Sequence, residues 1–146
     1  MGRPRNETGD AMPIQRVNPD TVAPPVQGLY THAAIATGSR FIAIAGQVAL
    51  DADGDLVGPG DHEAQAEQAF RNFRAALEAA GATPDDLIKN TIHVVGHKPE
   101  LIGPIFAAGQ RAFDGTWPVS ASTFLGVQTL GLPEWLIEVD GFAVLR

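Results

Sequence analysis

The sequence predicts an α+β domain in which two helices cover one face of a mixed β-sheet. Three observations lead there. Short segments of alternating or continuous apolar character recur at residues 30–35, 41–50, 88–95, 121–127 and 135–145. Two longer stretches, 61–80 and 99–113, space their apolar residues by three and four instead. The chain has 146 residues, 45% of them hydrophobic and 18% charged, which suits one packed core and excludes disorder. Read in order, the elements are β-β-α-β-α-β-β.

Residues 1–16 mix Gly, Pro, Asn and charge without periodicity and read as a flexible N-terminal arm, leaving 17–146 as a single domain. Residues 30–35 and 41–50 read as two strands separated by Gly38. In the second, Phe41, Ala43, Ala45 and Gln47 share one face, and Ile42, Ile44, Gly46 and Val48 the other. Both faces are apolar or small, so this strand is expected to be central and covered on both sides. Asp53-Gly54-Asp55 follows it as a tight turn.

The helix over 61–80 carries Ala66, Ala69, Phe70, Phe73, Leu77 and Ala80 on its inner stripe. Asp61 and Glu63 suit its positive end, and Gly81 suits its stop. Thr83-Pro84-Asp85-Asp86 reads as a cap and first turn. Residues 88–95 alternate as a strand with one mixed face. Pro99 opens a second helix with Ile102, Ile105, Phe106, Gly109 and Phe113 inward. Residues 121–127 and 135–145 supply the last two strands. Two helices can hide only one face of this sheet, so the other is expected to be buried by further copies of the chain.

The formal charge is −7, from 10 Lys+Arg and 17 Asp+Glu, which disfavours a phosphate backbone as partner. The absence of cysteine removes disulfides, thiolate nucleophiles and Cys-ligated metals. No apolar run suits a membrane span and no secretory signal pattern opens the chain, so a cytoplasmic location is expected.

Several patterns resemble sites and fail on spacing. His93 and His97 straddle Gly96 at a strand end instead of sharing a helix face, so no metal site is expected. His62 lies among acids in a first helical turn and reads as solvent-facing. Asp51, Asp53 and Asp55 mimic a calcium loop, but Gly54 is out of place and no Glu closes it. No glycine-rich phosphate loop occurs, so no nucleotide cofactor is expected. Ser120, Ser122 and Thr123 cluster without a nucleophile elbow around them. Glu138 and Asp140 stand two apart on the last strand and so share one face of an otherwise apolar segment. Either that face is wet or it lines a polar site between subunits.

Together these segments resemble a known family. Gly28-Leu29-Tyr30-Thr31-His32-Ala33 resembles a G-P-Y-S-Q-A opening, and residues 41–48 resemble the strand F-V-S-G-Q-I. Asn72 and residues 77–81 match N-L-x-x-x-L-E-A-A-G, residues 88–91 match V-K-x-T, and residues 136–143 match V-E-I-E-A-V-A. These are the blocks, in the same order, of the Rid/YjgF family, the enamine/imine deaminases also called the endoribonuclease L-PSP family. The resemblance runs from about residue 17 to the C-terminus.

What it implies is a chorismate-mutase-like fold, a homotrimer, and small-molecule clefts between subunits. Enzymes of the family hydrolyse enamines and imines without metal or organic cofactor. Carried over by position, Tyr30 matches the pocket tyrosine, Gly46 the strand glycine, and Ala45 stands where a serine would be. Asp140 stands where a water-positioning glutamate would be. The arginine that grips a substrate carboxylate follows an aromatic-Pro-x sequence. After Trp117-Pro118-Val119 its place falls to Ser120, or to Ser122 when counted back from Gly126. A serine hydroxyl cannot replace a charged bidentate fork. Arg111, on the second helix, is the nearest cation in sequence and is expected to play a structural part.

The expected function is therefore hydrolysis of a reactive imine or enamine other than the usual amino-acid-derived one. Asp140 and Tyr30 would be catalytic, with Ala45, Gly46, Trp117, Ser120 and Ser122 around the substrate. The alternative is a metabolite-binding member of the same fold without turnover. Nuclease activity fits the charge balance least.

Overall fold

The computed structural model describes residues 14–145. Most of the expected arm, residues 1–13, lies outside the described residues. Its last part does not behave as an arm: Ile14 is buried, and β1 (Gln15–Val17) pairs antiparallel with β2 (Ala33–Ile35). Arg16 Nε fastens this ribbon by donating to the Val119 carbonyl at 3.2 Å.

The strand expected from residue 30 begins only at Ala33, because one side chain and one distant carbonyl take the preceding N–H groups. His32 N–H donates to Asn18 Oδ1 at 2.8 Å, and Thr31 N–H to the Ser120 carbonyl at 2.9 Å. A backbone satisfied in this way has no need of a ladder partner.

The main sheet holds four strands: β3 (Arg40–Gln47), β4 (Leu87–Val95), β5 (Ala121–Val127) and β6 (Ile137–Leu145), in the order β3-β6-β4-β5. β4 and β5 are parallel; the other pairings are antiparallel, so the sheet is mixed as expected. β3 is not central. It forms one edge, and its outward Phe41 is 65% exposed. Apolar residues on both faces signal burial, but nothing among the described residues covers the second face at Phe41.

Both helices lie on the other face. Asp61 caps α1 (His62–Ala79) by accepting the Ala64 N–H at 3.0 Å, and Gly81, at φ +87°, turns the chain away after it. Ala66, Ala69, Phe70, Phe73 and Leu77 are buried as the periodicity predicts. They meet Ile92, Val94, Ile137, Val139 and Ala143 from the two inner strands. Thr83 and Asp86 form a capping box around Pro84–Asp86. Pro99 opens a 3₁₀ turn, Pro99–Leu101, and α2 (Ile102–Ala112) follows. Ile102, expected inward, is 40% exposed, while Ile105, Ala108 and Ala112 face the core.

Two polar side chains of α1 point inward as well. Gln65 is fully buried and holds two loops: Nε2 donates to the Gly58 and Glu134 carbonyls at 3.2 and 3.1 Å, and Oε1 accepts the Leu136 N–H at 2.9 Å. His62, expected in solvent, sets Nε2 2.6 Å from the Val95 carbonyl. Asp51 Oδ1 accepts the N–H groups of Asp53 and Asp55, so that acidic triplet is a turn.

Candidate functional site

A cavity of about 470 Å³ opens where the loop before β2, the first turns of α2 and the edge strand β5 meet. Its position follows from how that loop is pinned. Thr31 is buried, with its hydroxyl 3.1 Å from both Asn18 Oδ1 and the Ala33 carbonyl. Trp117 Nε1 donates to the Leu29 carbonyl at 2.9 Å. With Thr31 turned inward, its neighbours Tyr30 and His32 face the cavity, as extended backbone requires.

Leu29, Ile102, Phe106 and Phe124 form the apolar wall. Phe106 stacks on Phe124 with centroids 5.7 Å apart and meets Trp117 edge-on at 5.1 Å. The polar groups are the Tyr30 phenol, the His32 imidazole and the Ser122 and Thr123 hydroxyls. Among the described residues no Lys, Arg, Asp or Glu lines the cavity. Lys89 Nζ on β4 donates at 2.7 Å to the hydroxyl of Thr123, one of the lining residues.

The site residues expected from the sequence fall into separate places. Tyr30 and Ser122 line this cavity. Ser120 does not line it; the residue is 1% exposed, and its Oγ has no hydrogen-bond partner among the described residues. Trp117 does not line it; its indole packs against Phe70, Phe106 and Phe113 and holds the loop. Ala45 and Gly46 lie on the β3 edge, away from the cavity.

At that edge the sheet brings a different carboxylate to Gly46 than the one expected. A side chain at position 46 would enter the space of the Glu138 carboxyl group. Asp140, given the carboxylate's place by the resemblance, lies on β6 between the bulged residues 45–46 of β3 and Thr91 of β4, but the side chain that reaches Gly46 is that of Glu138. The antiparallel register of β3 and β6 decides this, with a bulge between Ile44 and Gln47. Glu138 and Asp140 do share the helix-free face, as alternation predicts, beside the exposed Phe41–Phe142 pair at 5.2 Å.

Arg111 takes no part in either place. Its guanidinium is 3.0 Å from Glu63 and 3.4 Å from Glu67, and the hydrogen bond with Glu63 raises its pKa further. His93 Nδ1 contacts the Glu138 carbonyl at 3.1 Å, while His97 packs edge-on against Phe124, so the two do not converge. Among the described residues no group of three or more His, Asp or Glu side chains is placed to hold a metal, and no helix is long and apolar enough to cross a membrane.

The family model described as Endoribonuclease L-PSP matches residues 20–145. The chain belongs to the endoribonuclease L-PSP family, that of the Rid/YjgF proteins. A Rid-family protein from Yersinia pestis, YyfB, superimposes with a TM-score of 0.82 at 40% identity, covering 92% of this chain and 100% of that one. A RutC family protein of Pyrococcus horikoshii is 38% identical over 83% of this chain and 90% of its own length. A mouse protein named 2-iminobutanoate/2-iminopropanoate deaminase is 30% identical over 90% and 92%. The α+β fold with two helices on a mixed sheet is that of these L-PSP family structures.

Sequence reasoning set aside two residues that the geometry brings forward. Glu138 carried a signal, since it shares a face with Asp140, but the choice between them needs a pairing register that strands 90 residues apart do not encode locally. His32 carried only its place beside Tyr30. The apolar wall from α2 and β5 had no signal of its own, because those side chains also read as core.

Proposed function

We propose that this chain is a cofactor-independent hydrolase of a reactive imine or enamine that lacks the amino-acid carboxylate. The reading rests on one observation: among the described residues, no Lys or Arg lines the cavity around Tyr30 and Ser122. A carboxylate entering it would lose hydration and find no charged partner, at a cost of several kcal/mol. An uncharged imine would instead set its substituent against Phe106 and Phe124 and its nitrogen near the Tyr30 and Ser122 hydroxyls. The deaminase kind is supported by the family and by the names of the mouse and rat relatives.

The Gly46–Glu138 corner lies on the helix-free face, apart from the cavity. We infer that the complete cleft forms between copies in a homotrimer, with that face, exposed Phe41 and Phe142 included, buried at the interface. Sedimentation should then give about 46 kDa, three times the 15.4 kDa chain. A stable monomer would remove the shared cleft.

The test measures ammonia release from 2-iminopropanoate and from a panel of uncharged imines generated in situ. Wild type is compared with Asp140→Asn, Glu138→Gln and Lys89→Met. Turnover of an uncharged imine, with kcat/KM at least about 10-fold above 2-iminopropanoate, supports the reading. Preference for 2-iminopropanoate that Lys89→Met abolishes would overturn it, because an ammonium would have replaced the arginine. No turnover of any imine by the assembled protein would favour a metabolite-binding protein, the reading to which Ala45 and Ser120 lend support.

A further inference from the structure

We propose that His32 is the proton-transfer residue of this cavity, an inference that rests on the deaminase reading above. His32 Nε2 lies 2.7 Å from the Ala23 carbonyl. A carbonyl oxygen only accepts, so Nε2 must carry the hydrogen. The neutral ring therefore presents its lone pair at Nδ1, which has no hydrogen-bond partner among the described residues. A base oriented by a bond to its other nitrogen is the arrangement general base catalysis requires.

The residue is also held in place. Its backbone N–H is fixed by Asn18 Oδ1 at 2.8 Å, and its ring stands edge-on to Tyr30, 84° between planes and 5.7 Å between centroids. Among the described residues lining the cavity, only Tyr30 and His32 ionise at all, and of these only an imidazole exchanges protons readily near neutral pH. Asp140 and Glu138 lie on the helix-free face. In the family motif this position is glutamine, whose amide can donate to a carbonyl but cannot carry a proton. Histidine here adds a capacity that the motif residue lacks.

The imine enters uncharged and takes one proton at nitrogen from solvent, and from there the step balances. The oxygen of water bonds to the imine carbon while the C=N π pair moves to nitrogen, and His32 Nδ1 takes a proton from that water. The resulting carbinolamine receives the proton back from Nδ1 at nitrogen. The C–N bond then breaks with its pair as ammonia leaves. The hydroxyl oxygen becomes the carbonyl and gives its proton to the ammonia, so the products are a carbonyl compound and ammonium.

The experiment measures kcat and KM for the best uncharged imine in wild type, His32→Gln and His32→Gly, the last with and without added imidazole. His32→Gln keeps a donor for the Ala23 carbonyl, so thermal unfolding should match wild type. The expected result is a kcat about 100-fold lower in His32→Gln, with KM within about threefold, and partial recovery of His32→Gly by imidazole. Wild-type kcat in His32→Gln would reduce His32 to a loop strut and leave the deaminase reading intact. A lowered kcat that imidazole does not restore in His32→Gly would overturn proton transfer in the same way. Absence of turnover in wild type would remove both the deaminase reading and this role, and shows before any variant is made.

Discussion

Replacing Gly46 by alanine separates position from stability at the β3–β6 corner. The new Cβ would stand 2.8 Å from Cδ and 3.0 Å from Cγ of Glu138, where ordinary contact begins at 3.4 Å. The carboxyl group must therefore retreat by about 0.5–1 Å, and a misplacement of that size can cost on the order of 100-fold in rate. The backbone at 46 is not in the left-handed region, so alanine adds no φ strain. What yields is the far end of a flexible, half-exposed side chain, so stability should change by no more than about 1 kcal/mol. The assay pairs kcat for imine hydrolysis with thermal unfolding of the same preparation. A 10- to 100-fold loss in kcat at nearly unchanged Tm is expected. Unaltered kcat would refute the assignment of Glu138 to the site, and a large drop in Tm would refute the claim that the carboxylate moves freely.

Three further outcomes follow from the geometry. Ile102→Arg places a guanidinium at the mouth of the cavity, where Ile102 is 40% exposed; kcat/KM for 2-iminopropanoate relative to an uncharged imine should rise about 10- to 100-fold, the worth of one charge-assisted contact. Ser120→Ala removes a buried hydroxyl that has no partner among the described residues, so unfolding should show unchanged or slightly raised stability, by up to about 1 kcal/mol. Gln65→Leu leaves the Gly58 and Glu134 carbonyls and the Leu136 N–H without their partner, and denaturant unfolding should show a loss of about 2–4 kcal/mol.

The alternations and periodicities of this chain located the elements well because each is a local property. Phe70, Phe73 and Leu77 recur at helical spacing, and they are buried. Asp61 reads as an acid at the positive end of the helix, and it stands there, accepting the Ala64 N–H. The Gln65 side chain was not legible in this way, since a glutamine between apolar residues reads as surface until the loops that need its amide are in place. The same holds for His62, whose partner, the Val95 carbonyl, lies 33 residues away.

By itself the sequence determined the fold class, the family blocks, the two helix stripes and the shared face of Glu138 and Asp140, all consequences of spacing within one element. Only the tertiary structure decided that β3 is an edge, that the Glu138 carboxyl group is the one that reaches Gly46, and that Tyr30, His32 and Ser122 share one cavity. The physical reason is common to all three. Strand order and register depend on pairing between segments about 90 residues apart, and the free energy that selects them comes from packing across the whole sheet, which no local pattern records.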